Sequence, residues 1–285
     1  MPGHPLLDAN CFDGDIETYL ASIGQIFVAH RGHDSHNTSF GVRVDGRPWF
    51  VKYTRHPEAL TYLESALRFH AAVQHWAIVP LVNSVRGDDG MAIVHEWVDG
   101  EVLSDMHPHG VPREHPDSAY SRFRALPTDE IVGAIDTIIA AHLAVTNRGF
   151  VAVDFYDGAV MYDFDRRRVN LCDLDAYCPG SVHTGSRPAV WLDPLHGSRG
   201  VPARRAHRRA HDCLHSRPHR VHLSERGLTG EPERHRWRGS AAMYDVAWRA
   251  TRQDPEQRYP SVAAFAGAWR SAAAQLASGN PCHPA

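Results

Sequence analysis

The sequence predicts an α+β fold, in which a small antiparallel sheet precedes a larger, mainly helical region. Between residues 25 and 98, short apolar runs alternate with turn signals, a spacing typical of antiparallel strands. After residue 127, apolar residues recur every three or four positions over long stretches, as they do in amphipathic helices. We therefore expect one region built on a sheet and one built on helices.

The first region, residues 1–100, has five predicted strands and one helix. The strands have the sequences "QIFVAH", "SFGVRV", "RPWFVKY", "AIVPLVNSV" and "MAIVHEWV". The helix falls in "HPEALTYLESALRFHAAVQ", where apolar residues share one face and Pro57 lies near the start. The pattern ends near Gly100, which we take as the boundary.

The second region, residues 101–285, is predicted to be mostly helical. Residues 101–127 are rich in His, Pro and Asp, and we expect irregular structure there. A helix is predicted for "TDEIVGAIDTIIAAHLAVTN", then a loop with two short strands, and then helices in "GSAAMYDVAWRAT" and "SVAAFAGAWRSAAAQL".

Composition narrows the class of protein. The chain has 285 residues, a net charge of −3 and 43% hydrophobic residues, so we expect a globular protein with no overall bias towards nucleic acid or membranes. No run of about 18 apolar residues occurs, and acidic residues near the start oppose a signal peptide. Five cysteines without CxxC spacing suggest a reducing compartment. We expect a cytoplasmic protein.

Lys52 is the only lysine, whereas the other 29 basic side chains are arginines. An ammonium is a compact point charge on a flexible stem, and a planar guanidinium cannot replace it at every site. We therefore expect a specific chemical role for Lys52.

Two acidic motifs follow the predicted helix that ends at Asn147. In "VAVDFYDGAVMYD", Asp154 follows an apolar run, and in "NLCDLDAY" Asp173 does the same. Because apolar residues frame both carboxylates, a functional role is favoured over an ordinary surface turn.

Together, these segments resemble the eukaryotic-type protein kinase family, as a divergent serine/threonine kinase of bacterial type. The resemblance covers roughly residues 20–180 and 238–275. It implies a two-lobed fold, with residues 1–100 as the small β lobe and residues 101–285 as the large lobe, and with ATP and Mg²⁺ between them. A protein carrying a serine or threonine hydroxyl is the favoured substrate.

The resemblance also implies the roles of individual residues. Lys52 would bind the α- and β-phosphates, Asp154 would orient the substrate hydroxyl, and Asp173 would bind Mg²⁺. Asp157 and Asp175 are further candidate metal ligands. The candidate nucleotide contacts are Ser35, Asn37 and Thr38 in the phosphate loop, the backbone of Glu96 and Val98 for adenine, and Glu101 for the ribose.

The sequence departs from the family at several of these positions. Tyr156 replaces the lysine of the catalytic loop, and Ala159 replaces its asparagine. Ala66 stands where a helix glutamate would pair with the lysine, and Glu64 is nearby on another face. These changes favour an alternative, a pseudokinase that binds nucleotide or acts as a scaffold. A second alternative is a small-molecule phosphotransferase of the aminoglycoside-kinase kind. The segment "DPEQRY", with Arg258, favours the protein-kinase branch.

Residues 183–222 differ from the rest in composition. They contain eight arginines and seven histidines but no Phe, Tyr, Ile or Met, so we expect residues 183–236 to be irregular or poorly folded. A nucleic-acid arm is possible on charge but disfavoured. A metal site is possible because His207, His211, His215 and His219 recur every fourth residue, but Pro218 interrupts that helix.

A reading-frame error is the leading hypothesis for this segment. The family has an Ala-Pro-Glu motif that pairs with the arginine corresponding to Arg258, and this sequence lacks it. One permitted choice of codons for "WLDPLHGSRG", read in a frame shifted by one base, encodes Gly-Ser-Thr-Arg-Phe-Met-Ala-Pro-Glu, so the sequence is compatible with a frameshift here. A reading-frame error across this segment, with the frame recovered near "WRGS", would therefore explain the composition and the missing motif together.

Overall fold

The structure is a computed structural model that describes residues 3–31, 36–103, 115–152, 155–180, 237–252 and 254–277. Within these ranges the chain has six α-helices, and ten strands arranged in three antiparallel sheets. The predicted α+β class is therefore confirmed. Ser35, Asp154 and the segment 183–222 lie outside the described residues.

The largest sheet has five strands and contains Lys52 in its middle strand. The strands are β1 (Gln25–His30), β2 (Thr38–Val44), β3 (Arg47–Thr54), β4 (Leu81–Arg86) and β5 (Met91–Glu96), in the order β1-β2-β3-β5-β4. Lys52 lies opposite Ser39 on β2 and opposite Ile93 on β5. All five strands were predicted, although β4 begins at Leu81, four residues later than the sequence suggested.

Residues 77–79 are not part of the five-stranded sheet, because their backbone bonds to a later part of the chain. The Leu171 N–H donates to the Ala77 carbonyl at 2.6 Å, and the Val79 N–H donates to the Leu171 carbonyl at 3.0 Å. These two bonds attach the segment that follows Leu171 to the first region.

Helix α1 (Ile16–Ile23) covers apolar residues of the sheet. The Asp15 side chain caps it by accepting a hydrogen bond from the Thr18 N–H at 3.0 Å. Ile16 and Leu20 are buried in one cluster with Val51 and Val94 of the sheet. The periodicity did not predict this helix, because eight residues give only about two turns.

Helix α2 (Pro57–Ala72) packs against both regions. Leu63 and Ala66 are fully buried in one cluster with Met91 and Ile93 of β5. One turn later, the ring of Phe69 lies 5.0 Å from that of Tyr177 in the second region. The helix therefore links the sheet to the second hydrophobic core.

The second core is built mainly on helices α3 (Ala119–Ala125), α4 (Thr128–Asn147), α5 (Ala241–Ala250) and α6 (Val262–Ala277). The last three were predicted. Helix α3 was not, so the expectation of irregular structure throughout residues 101–127 was wrong. Ser118 caps α3, and Phe123 anchors it in the core. None of the helices in the described ranges has the length and apolar character needed to span a membrane.

Five short strands complete the fold. They are β6 (Glu101–Val102), β7 (Phe150–Ala152), β8 (Val160–Asp163), β9 (Arg168–Leu171) and β10 (Tyr177–Pro179). Strands β6, β8 and β9 form one sheet, and β7 pairs with β10. The chain between β9 and β10 is thus fixed at both ends, and it carries Asp173 and Asp175.

Arg258 follows α5 and is buried, with 6% of its surface exposed. Its Nε donates to the Arg252 carbonyl at 2.5 Å. A backbone acceptor therefore satisfies part of this guanidinium.

Candidate functional site

The Lys52 ammonium lies between two carboxylates that come from the other region of the chain. Its Nζ is 2.5 Å from Asp173 Oδ1 and 2.5 Å from Asp175 Oδ2. The side chains of Lys52 and Asp175 are 12% and 11% exposed, whereas that of Asp173 is 38% exposed. The site is therefore closed around Lys52 and Asp175 and open to solvent at Asp173.

The two carboxylates keep Lys52 charged. Burial by itself lowers the pKa of Lys52, but the charges of Asp173 and Asp175 and their hydrogen bonds outweigh burial, so the pKa lies above its ordinary value. Burial raises the pKa of Asp175 more than the Lys52 ammonium lowers it, and the charge of Asp173 adds to the rise. The charged form of Lys52 is thus favoured, and burial raises the pKa of Asp175.

The loop between β9 and β10, residues 172–176, is called the acidic loop, and its backbone places both carboxylates beside Lys52. Asp173 and Asp175 are two residues apart, and Leu174 between them is buried in the second core. Asp173 has a φ of 54°, in the left-handed region, which aspartate adopts more readily than most other residues with a side chain. Unusual backbone geometry of this kind concentrates at functional sites.

Tyr156 is a further member of the site. Its hydroxyl donates a 3.0 Å hydrogen bond to Asp173 Oδ2, the oxygen not bonded to Lys52. In the sequence Tyr156 was only a departure from the kinase pattern. The contact could not have been found from spacing, because 17 residues separate the two.

The phosphate-loop candidates Asn37 and Thr38 lie at the start of β2. Thr38 begins the strand opposite Tyr53, and the next residue, Ser39, lies opposite Lys52. Asn37 is 6% exposed, and its Oδ1 is buried with no hydrogen-bond partner. A buried acceptor without a donor is costly, so Asn37 Oδ1 could accept from a ligand.

Two of the adenine and ribose candidates, Glu96 and Glu101, have partners within the chain. The Glu96 N–H donates to the Pro80 carbonyl at 3.0 Å, so this N–H is already used, and Val98 follows β5 in a partly exposed position. Glu101 on β6 forms an ion pair with Arg122 of α3, at 2.7 Å. A ribose would have to share Glu101 with Arg122.

The metal candidates differ in their surroundings. Asp157 begins the 3-10 turn Asp157–Ala159, next to Tyr156. Ala159 has a methyl side chain without an oxygen ligand, and it is fully buried, with its carbonyl accepting a bond from the Cys172 N–H at 2.9 Å. Among the described residues, no group of three or more His, Cys, Asp or Glu side chains could hold a metal ion.

A site that holds an ammonium between two carboxylates at an opening to solvent can bind an anionic group through the ammonium and a cation through a carboxylate. The ammonium can contact phosphate oxygens, and the exposed oxygens of Asp173 can contact Mg²⁺. No family model matches the chain, and no curated protein matches it. The functional argument therefore depends on the site itself.

Proposed function

We propose that this protein is an ATP-dependent phosphotransferase of the protein kinase-like superfamily, with the serine or threonine hydroxyl of a protein as its acceptor. The observation that carries the proposal is the Lys52 ammonium, 2.5 Å from both Asp173 and Asp175. The proposal includes a two-lobed arrangement, with the five-stranded sheet in one lobe and α3–α6 in the other.

Each residue of the site has a role in this proposal. Lys52 would exchange part of its contact with the carboxylates for contact with nucleotide phosphates, and Asp173 would bind Mg²⁺. The bound nucleotide would supply the phosphoryl group that is transferred. Asp154, which lies outside the described residues, would orient the acceptor hydroxyl, a role that depends only on the sequence resemblance.

The residues present fit Mg²⁺ bound together with a nucleotide better than Mg²⁺ bound alone. Mg²⁺ commonly retains several waters and is held by one or two carboxylates plus substrate phosphates. Asp173 is accessible for this, and Asp157 lies in the next turn of the chain beyond Tyr156. A site without a three-ligand protein cage is therefore compatible with the proposal.

A second candidate is a pseudokinase, which binds nucleotide or acts as a scaffold without turnover. The observation that favours it is Ala159, which is fully buried and supplies no ligand where the related family has an asparagine. The hydrogen bond from Tyr156 to Asp173 points the same way, because it occupies part of the carboxylate that would hold the metal.

Two measurements on the purified chain separate these candidates. The first is the thermal shift with ATP and Mg²⁺, for the wild type, for Lys52→Arg and for the control Arg55→Met. Arg55 lies just beyond β3, its side chain is 76% exposed, and it is 3.8 Å from Asp89. The second is transfer of labelled γ-phosphate to generic protein and to aminoglycosides.

The proposed function predicts a shift in the wild type and in Arg55→Met, no shift in Lys52→Arg, and transfer to protein. A shift without transfer selects the pseudokinase, and transfer to aminoglycosides alone selects a small-molecule phosphotransferase. An equal shift in Lys52→Arg would remove Lys52 from the nucleotide site.

A further inference from the structure

Both carboxylates that hold Lys52 come from one loop. Asp173 and Asp175 lie in the loop of residues 172–176, between the end of β9 at Leu171 and the start of β10 at Tyr177, and each places an oxygen 2.5 Å from Nζ. Asp175 is the less exposed partner, at 11% against 38% for Asp173. Solvent therefore screens the pair with Asp175 less than the pair with Asp173.

Helix α2 faces the Lys52 region with apolar residues. Ala66 and Leu63 are fully buried beside Ile93, the residue that lies opposite Lys52 on β5. Glu64 points elsewhere, 3.9 Å from Arg86, with 47% of its side chain exposed. The helix therefore packs against this part of the sheet with apolar side chains. It has no carboxylate at position 66 to pair with Lys52, and Asp175 supplies one from the loop.

The loop that carries Asp175 is braced on several sides. The Cys172 N–H donates to the Ala159 carbonyl at 2.9 Å, and the Tyr177 N–H donates to the Leu174 carbonyl at 3.2 Å. Ser65 Oγ of α2 donates to the Tyr177 carbonyl at 2.9 Å in a buried position. A carboxylate on such a loop is already oriented before any ligand binds.

We propose that Asp175 is the positioning residue that holds the Lys52 ammonium in place for nucleotide phosphates, in the absence of an acidic residue at position 66 of α2. This inference rests on the proposed function for its ligand, but the placement of Lys52 by Asp175 is a property of the protein without nucleotide. It also assigns Asp175 to the lysine and leaves Mg²⁺ to Asp173, which departs from the sequence-based expectation that Asp175 is a metal ligand.

Because the chain has a single lysine, the effect of Asp175 on the Lys52 ammonium can be measured directly. Protein labelled with ¹⁵N-lysine has one ammonium signal by NMR, that of Lys52. Ion pairing and burial slow the exchange of ammonium protons with water, so we expect a visible signal in the wild type at neutral pH. The variants are Asp175→Asn, Asp175→Glu and the control Asp165→Asn, whose residue lies in the exposed turn between β8 and β9.

The expected result is that the ammonium signal is lost or moves to the position of an exposed lysine in Asp175→Asn. It should persist in Asp175→Glu and in Asp165→Asn. A signal in Asp175→Asn that matches the wild type would overturn the proposal. If Asp175→Asn does not fold, Asp175→Glu decides: a signal retained near its wild-type position supports the proposal, and a lost signal opposes it.

Measurements of nucleotide binding then test the second part of the proposal, that Asp175 places Lys52 for nucleotide phosphates. We expect Asp175→Asn to weaken ATP binding about tenfold, with KM affected more than kcat, and to leave the Mg²⁺ concentration for half-saturation unchanged. A large rise in that Mg²⁺ concentration with an unchanged lysine signal would make Asp175 a metal ligand and refute the inference. If the wild type binds no ATP, the proposed function fails, and the NMR result still decides whether Asp175 holds Lys52.

Discussion

The Tyr156 hydroxyl and the Lys52 ammonium contact different oxygens of the same carboxylate, that of Asp173. Tyr156 donates to Oδ2 at 3.0 Å, and Lys52 lies 2.5 Å from Oδ1. Asp173 is therefore held from both sides, although it remains 38% exposed.

Removing the Tyr156 hydroxyl tests what that hydrogen bond does. Tyr156→Phe should destabilise the protein by about 1 kcal/mol, because one hydrogen bond to a partly exposed carboxylate is lost. The matched control is Tyr53→Phe, which removes a similar 3.1 Å bond from a phenol to Asp89 outside the site. Urea unfolding should give similar losses for the two variants, and only Tyr156→Phe should change the affinity for ATP and Mg²⁺. Equal nucleotide affinity in both variants would exclude Tyr156 from the site.

Replacing Lys52 by an apolar residue should destabilise the protein without nucleotide. Lys52→Met leaves the buried Asp175 without its cation, and breaking a buried pair in this way costs about 3 kcal/mol or more. The double variant Lys52→Met/Asp175→Asn should recover part of the loss, because the uncompensated charge is gone. Chemical unfolding of the wild type, both single variants and the double variant measures the coupling. Additive losses would mean that the two residues do not interact.

In the Lys52→Met variant, the dependence of folding stability on pH should also change. Burial already raises the pKa of Asp175, and loss of the ammonium should raise it further. An acid whose pKa is higher in the folded state binds protons more tightly there, so stability falls as pH rises from the unfolded pKa through the folded pKa. The variant should therefore lose stability relative to the wild type as pH increases above about 4. A difference in stability that is constant with pH would contradict this.

His142 should make the second core sensitive to acid. It is 4% exposed, and burial lowers its pKa to about 4. Its Nδ1 faces the Ile138 carbonyl at 2.8 Å and so donates, which leaves Nε2 to accept from the Tyr177 hydroxyl at 2.8 Å. The neutral ring fits this arrangement. Because the folded pKa lies below the unfolded one, His142 contributes stability above about pH 6.5 and loses it as pH falls towards 4, by up to about 3 kcal/mol.

The His142 prediction can be checked with the unfolding free energy measured between pH 7 and pH 4. His142→Gln should lower the unfolding free energy at pH 7. The unfolding free energy of this variant should also fall less steeply with acid, because about one fewer proton is taken up on unfolding. The control His115→Gln changes a histidine whose side chain is 48% exposed and should leave the decline as it is in the wild type. Identical slopes for the wild type and His142→Gln would show that this ring does not titrate on unfolding.

The reading-frame hypothesis for residues 183–222 remains a prediction, because the segment lies outside the described residues. Sequencing the gene across codons 180–225 should reveal a frame that encodes Ala-Pro-Glu near codon 199. Peptide masses that match the printed sequence across this segment, from a gene with an intact frame, would end the hypothesis.

Local sequence determined the long elements of the fold. Strand β1 and helix α4 have the predicted bounds, because a short apolar run that ends at a polar bend and an uninterrupted helical period are both strong local signals. Helices α1 and α3, with eight and seven residues, could not be predicted. Short helices of this kind depend on capping and tertiary packing more than on their own periodicity.

The sequence by itself singled out Lys52 as the only lysine and Asp173 as a carboxylate in an apolar frame. Tertiary structure decided that Asp175 and Tyr156 join them and that Ala66 is buried beside Ile93. These contacts join residues far apart in the chain, 121 positions in the case of Lys52 and Asp173. The bonds of Leu171 to Ala77 and Val79 hold the start of the acidic loop against the segment that precedes β4, and no local pattern encodes that docking.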